Sequence, residues 1–177
     1  MLNYNENEDI IASKAVIEMI ALASEYVLFI EKIYQYEKEE RLPFLQKILT
    51  ALYLKGLLFP TIQVDDTSFH ERFITEEEYE LLHLKLIDNF EDINYFSSVN
   101  LMDDDIEAVP VTLAEYLADI YLDLKEFLLL YEKGTLGAQE NAIKACKDDF
   151  LDNWGYKIVL VLPHLHVLTR NSADNIE

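Results

Sequence analysis

Residues 112–134, TLAEYLADIYLDLKEFLLLYEKG, specify the two ends and the two faces of one amphipathic helix. Its apolar side chains recur at the spacing that places them on one side of a helix. They are Leu113, Leu117, Ile120, Tyr121, Leu124, Phe127, Leu128 and Tyr131. Thr112 and Glu115 match a capping box at the start, and Gly134 matches a left-handed stop at the end. The rest of the chain must cover so broad an apolar side.

Few residues in the chain favour turns. Gly and Pro number four each among 177 residues, and 51% of the chain is hydrophobic. This composition favours long continuous elements over many short strands. A chain of this length is typical of one domain that buries about 70% of the surface of its unfolded chain. We predict an all-α fold, a single-domain helical bundle of about five main helices over residues 1–177. Its ordered core covers about residues 8–170, and residues 171–177 form a disordered tail.

The first helix is predicted at about residues 8–37 and is apolar around nearly its whole circumference. Lys14, Glu18, Glu25 and Lys32 are confined to one narrow polar strip. A helix of this kind is covered either by several neighbouring helices or by a second subunit. The sequence favours a central bundle helix and leaves a homodimer interface as the alternative.

The next two helices are bounded by proline and by a cap. Pro43 is expected in the first turn of the second helix, where its missing N–H does no harm, and that helix ends near residue 58. Residues 61–73 show no period and are predicted to be a loop. Thr75 and Glu78 match a capping box that begins the third helix.

A long connection separates the third and fourth helices. Residues 91–111 lack a clear period, and a connection of this length is uncommon in a compact domain unless it carries a short helix or has a role of its own. The segment fits a simple covering loop equally well. After the fourth helix, residues 135–138 are predicted to form a short turn. A last helix then runs at about residues 139–169, with bends at Gly155 and Pro163.

The net charge limits the partners of the chain. It has 34 acidic and 14 basic residues, a formal net charge of −20. Because phosphate backbones and anionic membranes repel such a chain, we predict no nucleic-acid partner and no membrane partner. The single Cys146 cannot form an internal disulfide, and the polar, acidic start lacks the features of a secretory signal. These features predict a cytoplasmic protein.

Four segments carry a family resemblance. They are LADIYLDLKEFLLLYEKG at 117–134, FLDNWGYKIVLVLPHLHVL at 150–168, YLKGLLFP at 53–60 and FITEEEYELL at 73–82. With these segments the chain resembles the bacterial domain-of-unknown-function family 5063 over about residues 8–170. The resemblance implies a helical bundle and assigns no reaction, ligand or catalytic residue.

Two pairs of aspartates are the best candidates for a metal site. Asp119 and Asp123 are one helical turn apart, and Asp148 and Asp152 have the same spacing on the next predicted helix. Antiparallel helices would bring the pairs together as in metal-dependent phosphohydrolases. Both pairs also fit ordinary solvated faces with lysines nearby. The metal-site candidates are therefore Asp119, Asp123, Asp148 and Asp152.

Two other acidic motifs are weaker candidates. Glu80 and His83 have the E-x-x-H spacing of di-iron bundles, but the chain has no second copy of it. A hydrogen-bonded core histidine is the ordinary interpretation. Asp103, Asp105 and Glu107 alternate as in a calcium loop but fail the rest of the EF-hand template.

Basic residues gather only near the end of the chain. Lys157, His164, His166 and Arg170 suit the negative end of a helix dipole, and an anion or partner docking site is the sharper alternative. Cys146 falls on the apolar face and is predicted to be a core residue.

The chain has no nucleotide-binding, hydrolase or paired-cysteine zinc motif, so we predict no cofactor. An acidic, tyrosine-rich surface without site chemistry indicates a non-enzymatic helical interaction module that binds a protein partner. Two alternatives stay open. One is a metal-dependent hydrolase that uses the clustered aspartates, and the other is an acidic nucleic-acid mimic that captures a DNA-binding protein.

Overall fold

The computed structural model describes residues 6–69, 71–99 and 108–174, with side chains from residue 7 to residue 171 within them. The helices are α1 (Glu6–Ile11), α2 (Lys14–Glu31), α3 (Lys38–Leu58), α4 (Glu76–Phe90), α5 (Leu113–Glu132), α6 (Leu136–Asp149) and α7 (Gly155–Asp174). Strand β1 (Tyr95–Val99) pairs antiparallel with β2 (Ala108–Thr112). The predicted all-α bundle is confirmed. None of the helices in these ranges is long and apolar enough to cross a bilayer.

Helix α5 lies at the centre of the bundle and contacts α2, α4, α6 and α7. Its ends lie at the predicted residues: the Thr112 hydroxyl accepts the Glu115 N–H at 3.1 Å, which is one half of the predicted capping box, and Gly134 follows the helix with a φ of +72°. Six of the eight predicted apolar residues are buried, whereas Leu128 and Tyr131 are half-buried. Small residues between the large ones, and Leu130, are buried in addition. The buried residues are Leu113, Ala114, Leu117, Ala118, Ile120, Tyr121, Leu124, Phe127 and Leu130.

The predicted first helix is interrupted at Ser13, whose hydroxyl accepts the Val16 N–H at 3.4 Å and caps α2. One side of α2 is buried against α3 and α5. The opposite side leaves Ile17 57% exposed and Leu28 46% exposed. Helix α2 is therefore buried on one side only, and not around its whole circumference as a central bundle helix would be. The homodimer interface stays a prediction.

Helix α3 begins at Lys38, so Pro43 lies inside it and not in its first turn as predicted. The missing N–H of Pro43 leaves the Glu39 carbonyl without its usual helical donor. Water can replace that donor, because Glu39 is exposed. Burial of Leu45, Leu49 and Leu52 on the inner side then offsets the cost of the proline.

The connection between α4 and α5 contains structure that the sequence did not predict. Its first residues, Glu91–Asn94, form a 3₁₀ turn, and β1 and β2 then form a hairpin. Asn94 is buried and its side-chain oxygen accepts the Ala114 N–H at 2.8 Å, which ties the turn to the start of α5. Phe96 stacks on His164 of α7 with ring centroids 4.4 Å apart.

The predicted last helix is divided by a π-helical turn at Phe150–Trp154. The Trp154 indole N–H donates to the Cys146 carbonyl at 3.2 Å, which satisfies a group beside the disrupted hydrogen-bond ladder. At the bend predicted near Gly155, the structure has this π turn, which ends at the residue before Gly155. Thr135 caps α6, which begins earlier than predicted. Residues 171–174 continue α7, and residues 175–177 lie outside the described ranges.

The π turn predicts the effect of enlarging Gly56. A Cβ at this position would overlap the Phe150 ring. Gly56→Ala should therefore lower the free energy of unfolding by about 1–3 kcal/mol, measured from the urea midpoint at unchanged m-value. At an exposed helix site the same change would stabilise by up to about 1 kcal/mol, so an increase in stability would contradict this packing.

Candidate functional site

A groove lies between α4, α5, α6 and the strap, which we define as residues 61–69 and 71–75. Its volume is about 830 Å³. Leu122, Phe127 and Leu130 line its floor together with small residues of α6. Six carboxylates and one guanidinium, that of Arg72, line the rest. The carboxylates belong to Glu71, Glu76, Asp119, Asp123, Glu126 and Asp149. We call this cavity the acidic groove.

Asp119 is the most completely compensated carboxylate of the groove. The Tyr79 hydroxyl donates to its Oδ1 at 2.6 Å, and the Lys157 ammonium donates to its Oδ2. Burial, assisted by this carboxylate, raises the pKa of the Tyr79 hydroxyl, which keeps it protonated as a donor. The charge of Asp119 is thus neutralised within the chain.

Asp123 is one turn further along α5 and has a neutral partner. The Asn153 amide donates to its Oδ2 at 2.6 Å. Burial is the largest cause of a raised pKa at Asp123, followed by repulsion from Asp149, and the pKa reaches about 7. Lys157 and the Asn153 hydrogen bond offset part of this rise. Asp123 therefore changes its charge near neutral pH.

Asp149 lies on α6 across the groove from Asp123. Burial and the neighbouring Asp148 and Asp152 raise its pKa, while Arg72 of the strap lowers it. Two partly buried carboxylates that repel each other disfavour full ionisation. A cation between Asp123 and Asp149 would relieve this repulsion.

The strap is held in place by α5 and α6. The Glu126 carboxylate accepts the backbone N–H groups of Phe73 at 2.9 Å and Ile74 at 2.8 Å. The Asn141 amide donates to the Asp66 carbonyl at 2.8 Å. Phe69 packs closely against Gly137, and Phe73 also packs against the hydrophobic core. The strap wall of the groove is thus held by the Glu126 carboxylate, the Asn141 amide and the packing of Phe69.

The four aspartates predicted to bind metal do not converge. Asp119 and Asp123 face the groove. Asp148 is exposed and pairs with Lys144, and Asp152 is exposed on the π turn. Within the described residues, no group of three or more His, Cys, Asp or Glu side chains could hold a metal ion. The metal site stays a prediction, and the structure places Asp149 opposite Asp123 instead of Asp148 or Asp152.

A sequence signal for Asp149 existed. It follows Ala142 and Cys146 at helical spacing, and both of these residues are buried on the inner face of α6. An acid in phase with a buried face is a stronger indication of a site than acids on a polar face. Asp148 and Asp152 have the spacing of a pair on one helix face, but that face is not the one that carries the buried Ala142 and Cys146.

The other sequence candidates separate. Glu80 is exposed, while the His83 ring packs against Tyr79 and its Nε2 is buried without a hydrogen-bond partner. The E-x-x-H motif therefore does not form a joint site in the described chain. Asp103 to Glu107 lie outside the described residues.

The basic cluster near the end of the chain also separates. Lys157 turns into the acidic groove, and His164 contacts the Ile93 carbonyl at 3.0 Å. His166 contacts the Gln46 amide at 3.2 Å. Cys146 is buried, and burial raises the pKa of its thiol, in agreement with a core residue.

Comparisons with known proteins give a family and a fold. A family model described as a domain of unknown function, DUF5063, matches residues 10–171. The crystal structure of a Bacteroides fragilis protein is similar at 28% identity, with a TM-score of 0.80. The match covers 90% of this chain and 94% of that one. No similar sequence was found among curated proteins.

The raised pKa of Asp123 predicts a pH-dependent stability. The folded chain holds this proton more tightly than the unfolded chain, so folding loses stability as the pH rises from about 4 to about 7. Asp123→Asn removes the charge, and we expect it to raise the free energy of unfolding by roughly 1–3 kcal/mol at pH 8. Near pH 4 the variant and the wild-type chain should differ little.

The control for this prediction is Asp88→Asn, an exposed position on α4. It should leave the pH dependence of the wild-type chain unchanged between pH 4 and pH 8. Urea midpoints at several pH values measure all three chains. Parallel curves for the wild-type chain and Asp123→Asn would show that Asp123 titrates in its ordinary range.

Proposed function

Since the chain belongs to the domain-of-unknown-function family DUF5063, whose description assigns no activity, we propose a function from the acidic groove. The domain is a non-enzymatic interaction module of the cytoplasm that binds a lysine or arginine side chain of a protein partner. The observation that carries this proposal is the lining of the groove by six carboxylates and the Arg72 guanidinium. Lys157 and Lys133 pair with two of these carboxylates, Asp119 and Glu71, so the remaining four outnumber the lining cation.

The shape of the groove fits a basic side chain on an apolar stem. Leu122, Phe127 and Leu130 offer apolar surface along the floor. Lysine and arginine side chains bury their methylene stems on such surface while the charged end contacts polar groups. Asp123 and Asp149 also line the groove, and Lys157 and Arg72 offset only part of the rise in their pKa values. A guanidinium can contact two carboxylates at once, so arginine should bind more tightly than lysine.

The chain itself contains an example of this recognition. Lys157 reaches the groove from α7 and donates to Asp119, while its side chain is only 21% exposed. An ammonium held by one oxygen of a groove carboxylate, whose other oxygen accepts from a tyrosine hydroxyl, is therefore stable in this environment. The proposal extends the same chemistry by one helical turn, from Asp119 to Asp123.

Binding of N-acetyl-arginine amide tests the proposal. NMR titration of the wild-type chain should show saturable shifts around Asp123 and Asp149, weaker at high salt because the contact is partly screened. The double variant Asp123→Asn, Asp149→Asn should lose at least tenfold in affinity, and Asp88→Asn should keep the wild-type affinity. The lysine analogue should bind more weakly.

The proposal fails if the wild-type chain shows no saturable shift, or if the double variant binds as well as Asp88→Asn. If the arginine derivative binds as expected, affinity capture from lysate identifies the protein partner. The wild-type chain should retain a stoichiometric protein that the double variant does not retain and that elutes with salt.

A metal-dependent hydrolase is the second candidate and is restricted to Asp119 and Asp123, because only these two of the four predicted aspartates line the groove. Thermal unfolding with magnesium, manganese or zinc tests it, since a bound ion stabilises the folded chain by mass action. A rise in midpoint that Asp123→Asn abolishes would support a metal site. An unchanged midpoint with all three ions would remove this candidate.

A further inference from the structure

A second cavity lies at the opposite end of α4 from the acidic groove. It separates the last turn of α4 from the first turns of α3, and it has no lining residue in common with the groove. Its volume of about 250 Å³ corresponds to roughly eight water molecules at about 30 Å³ each. Lys38, Arg41, Asn89 and Glu91 supply most of its polar lining.

Arg41 is the unusual residue of this cavity, because its side chain is buried and only 9% of the residue is exposed. Its Nε donates to the Tyr36 carbonyl at 2.9 Å, and its Nη1 donates to the Asn89 side-chain oxygen at 3.1 Å. Both acceptors are neutral. None of the ion pairs among the described residues includes Arg41. A buried charge without a counter-charge is costly.

The orientation of the guanidinium is fixed. Asn89, which accepts from Arg41, also donates to the Lys85 carbonyl at 2.7 Å, so its amide cannot turn freely. A guanidinium has five N–H groups, and the two bonds to Tyr36 and Asn89 use two of them. The remaining donors have the forked geometry that suits the two oxygens of a carboxylate or phosphate.

The rim of the cavity adds a cation and a strained residue. Lys38 lies at the rim and pairs with Glu91 at 3.2 Å. Glu91 ends α4 with φ 44° and ψ −123°, a conformation that side chains other than glycine rarely adopt. Strained residues of this kind cluster at ligand sites and switches. Here the strain places a carboxylate against Lys38, where an incoming anion would compete with it.

We infer that Arg41, with Lys38 at the rim, binds a small oxyanion, a carboxylate or a phosphate group, which supplies the direct ion pair that Arg41 does not make with the carboxylates of the cavity wall. Glu91 and Asp92 lie on the same wall and oppose the anion, so its affinity is in the millimolar range and falls with ionic strength. This site is independent of the proposed cation site in the acidic groove.

Titration of the wild-type chain with sodium phosphate, and separately with sodium acetate, tests the inference at constant ionic strength. The NMR signal of the Arg41 Nε–H should shift saturably with at least one anion. A stronger response to phosphate assigns a phosphate-bearing ligand, and a stronger response to acetate assigns a carboxylate. Arg41→Lys should weaken binding at least tenfold, whereas Lys47→Met, at an exposed position on the same helix, should not.

Glu91→Gln provides a second variant that leaves the contacts of Arg41 intact. It frees Lys38 and removes a negative charge from the wall, so binding should tighten about threefold. The inference is overturned if the wild-type chain shows no saturable shift with either anion. It is also overturned if Glu91→Gln binds no more tightly than the wild-type chain.

Discussion

The structure depends on the burial of α5 between α2, α4, α6 and α7. Nine of its twenty residues are buried, with Leu117, Ile120 and Leu124 among them. Each large apolar side chain buried in this way contributes about 1.5–3 kcal/mol to folding. The same burial removes Asp119 and Asp123 from bulk water, because both lie on the edge of α5 that faces the strap and α6. The candidate site is thus a consequence of the central helix.

The two carboxylates meet this environment differently. Asp119 receives a tyrosine hydroxyl and an ammonium, so its charge is compensated inside the chain. Asp123 accepts a hydrogen bond from the neutral Asn153 amide and is repelled by Asp149. Its contacts therefore offset the cost of desolvating its charge only in part. A neutral residue at this position would favour folding. The charged carboxylate of Asp123 lowers the stability of the fold, but the proposed binding of a cation requires it.

The parts of the fold that depend on local sequence were predictable. Thr75 with Glu78 sets the start of α4, and Thr112 sets the start of α5, through contacts a few residues apart. Gly134 follows the end of α5 with a positive φ, and these helix ends lie at the predicted residues. The π turn and the hairpin were not predicted, and each makes a contact with residues far away in the sequence. Phe150 of the π turn packs over Gly56 of α3, and Phe96 of the hairpin stacks against His164 of α7. Of the candidate site, Asp119 and Asp123 followed from spacing, whereas Asp149 required the phase of α6.

The protonation of Asp123 in the folded chain is the quantity that links the fold to the proposed function. A carboxyl-carbon NMR titration of this residue measures it directly. We expect a midpoint near pH 7, which falls toward the ordinary aspartate range when an arginine derivative occupies the groove. A midpoint near 4 that the ligand does not change would contradict both the desolvation of Asp123 and the binding of a cation beside it.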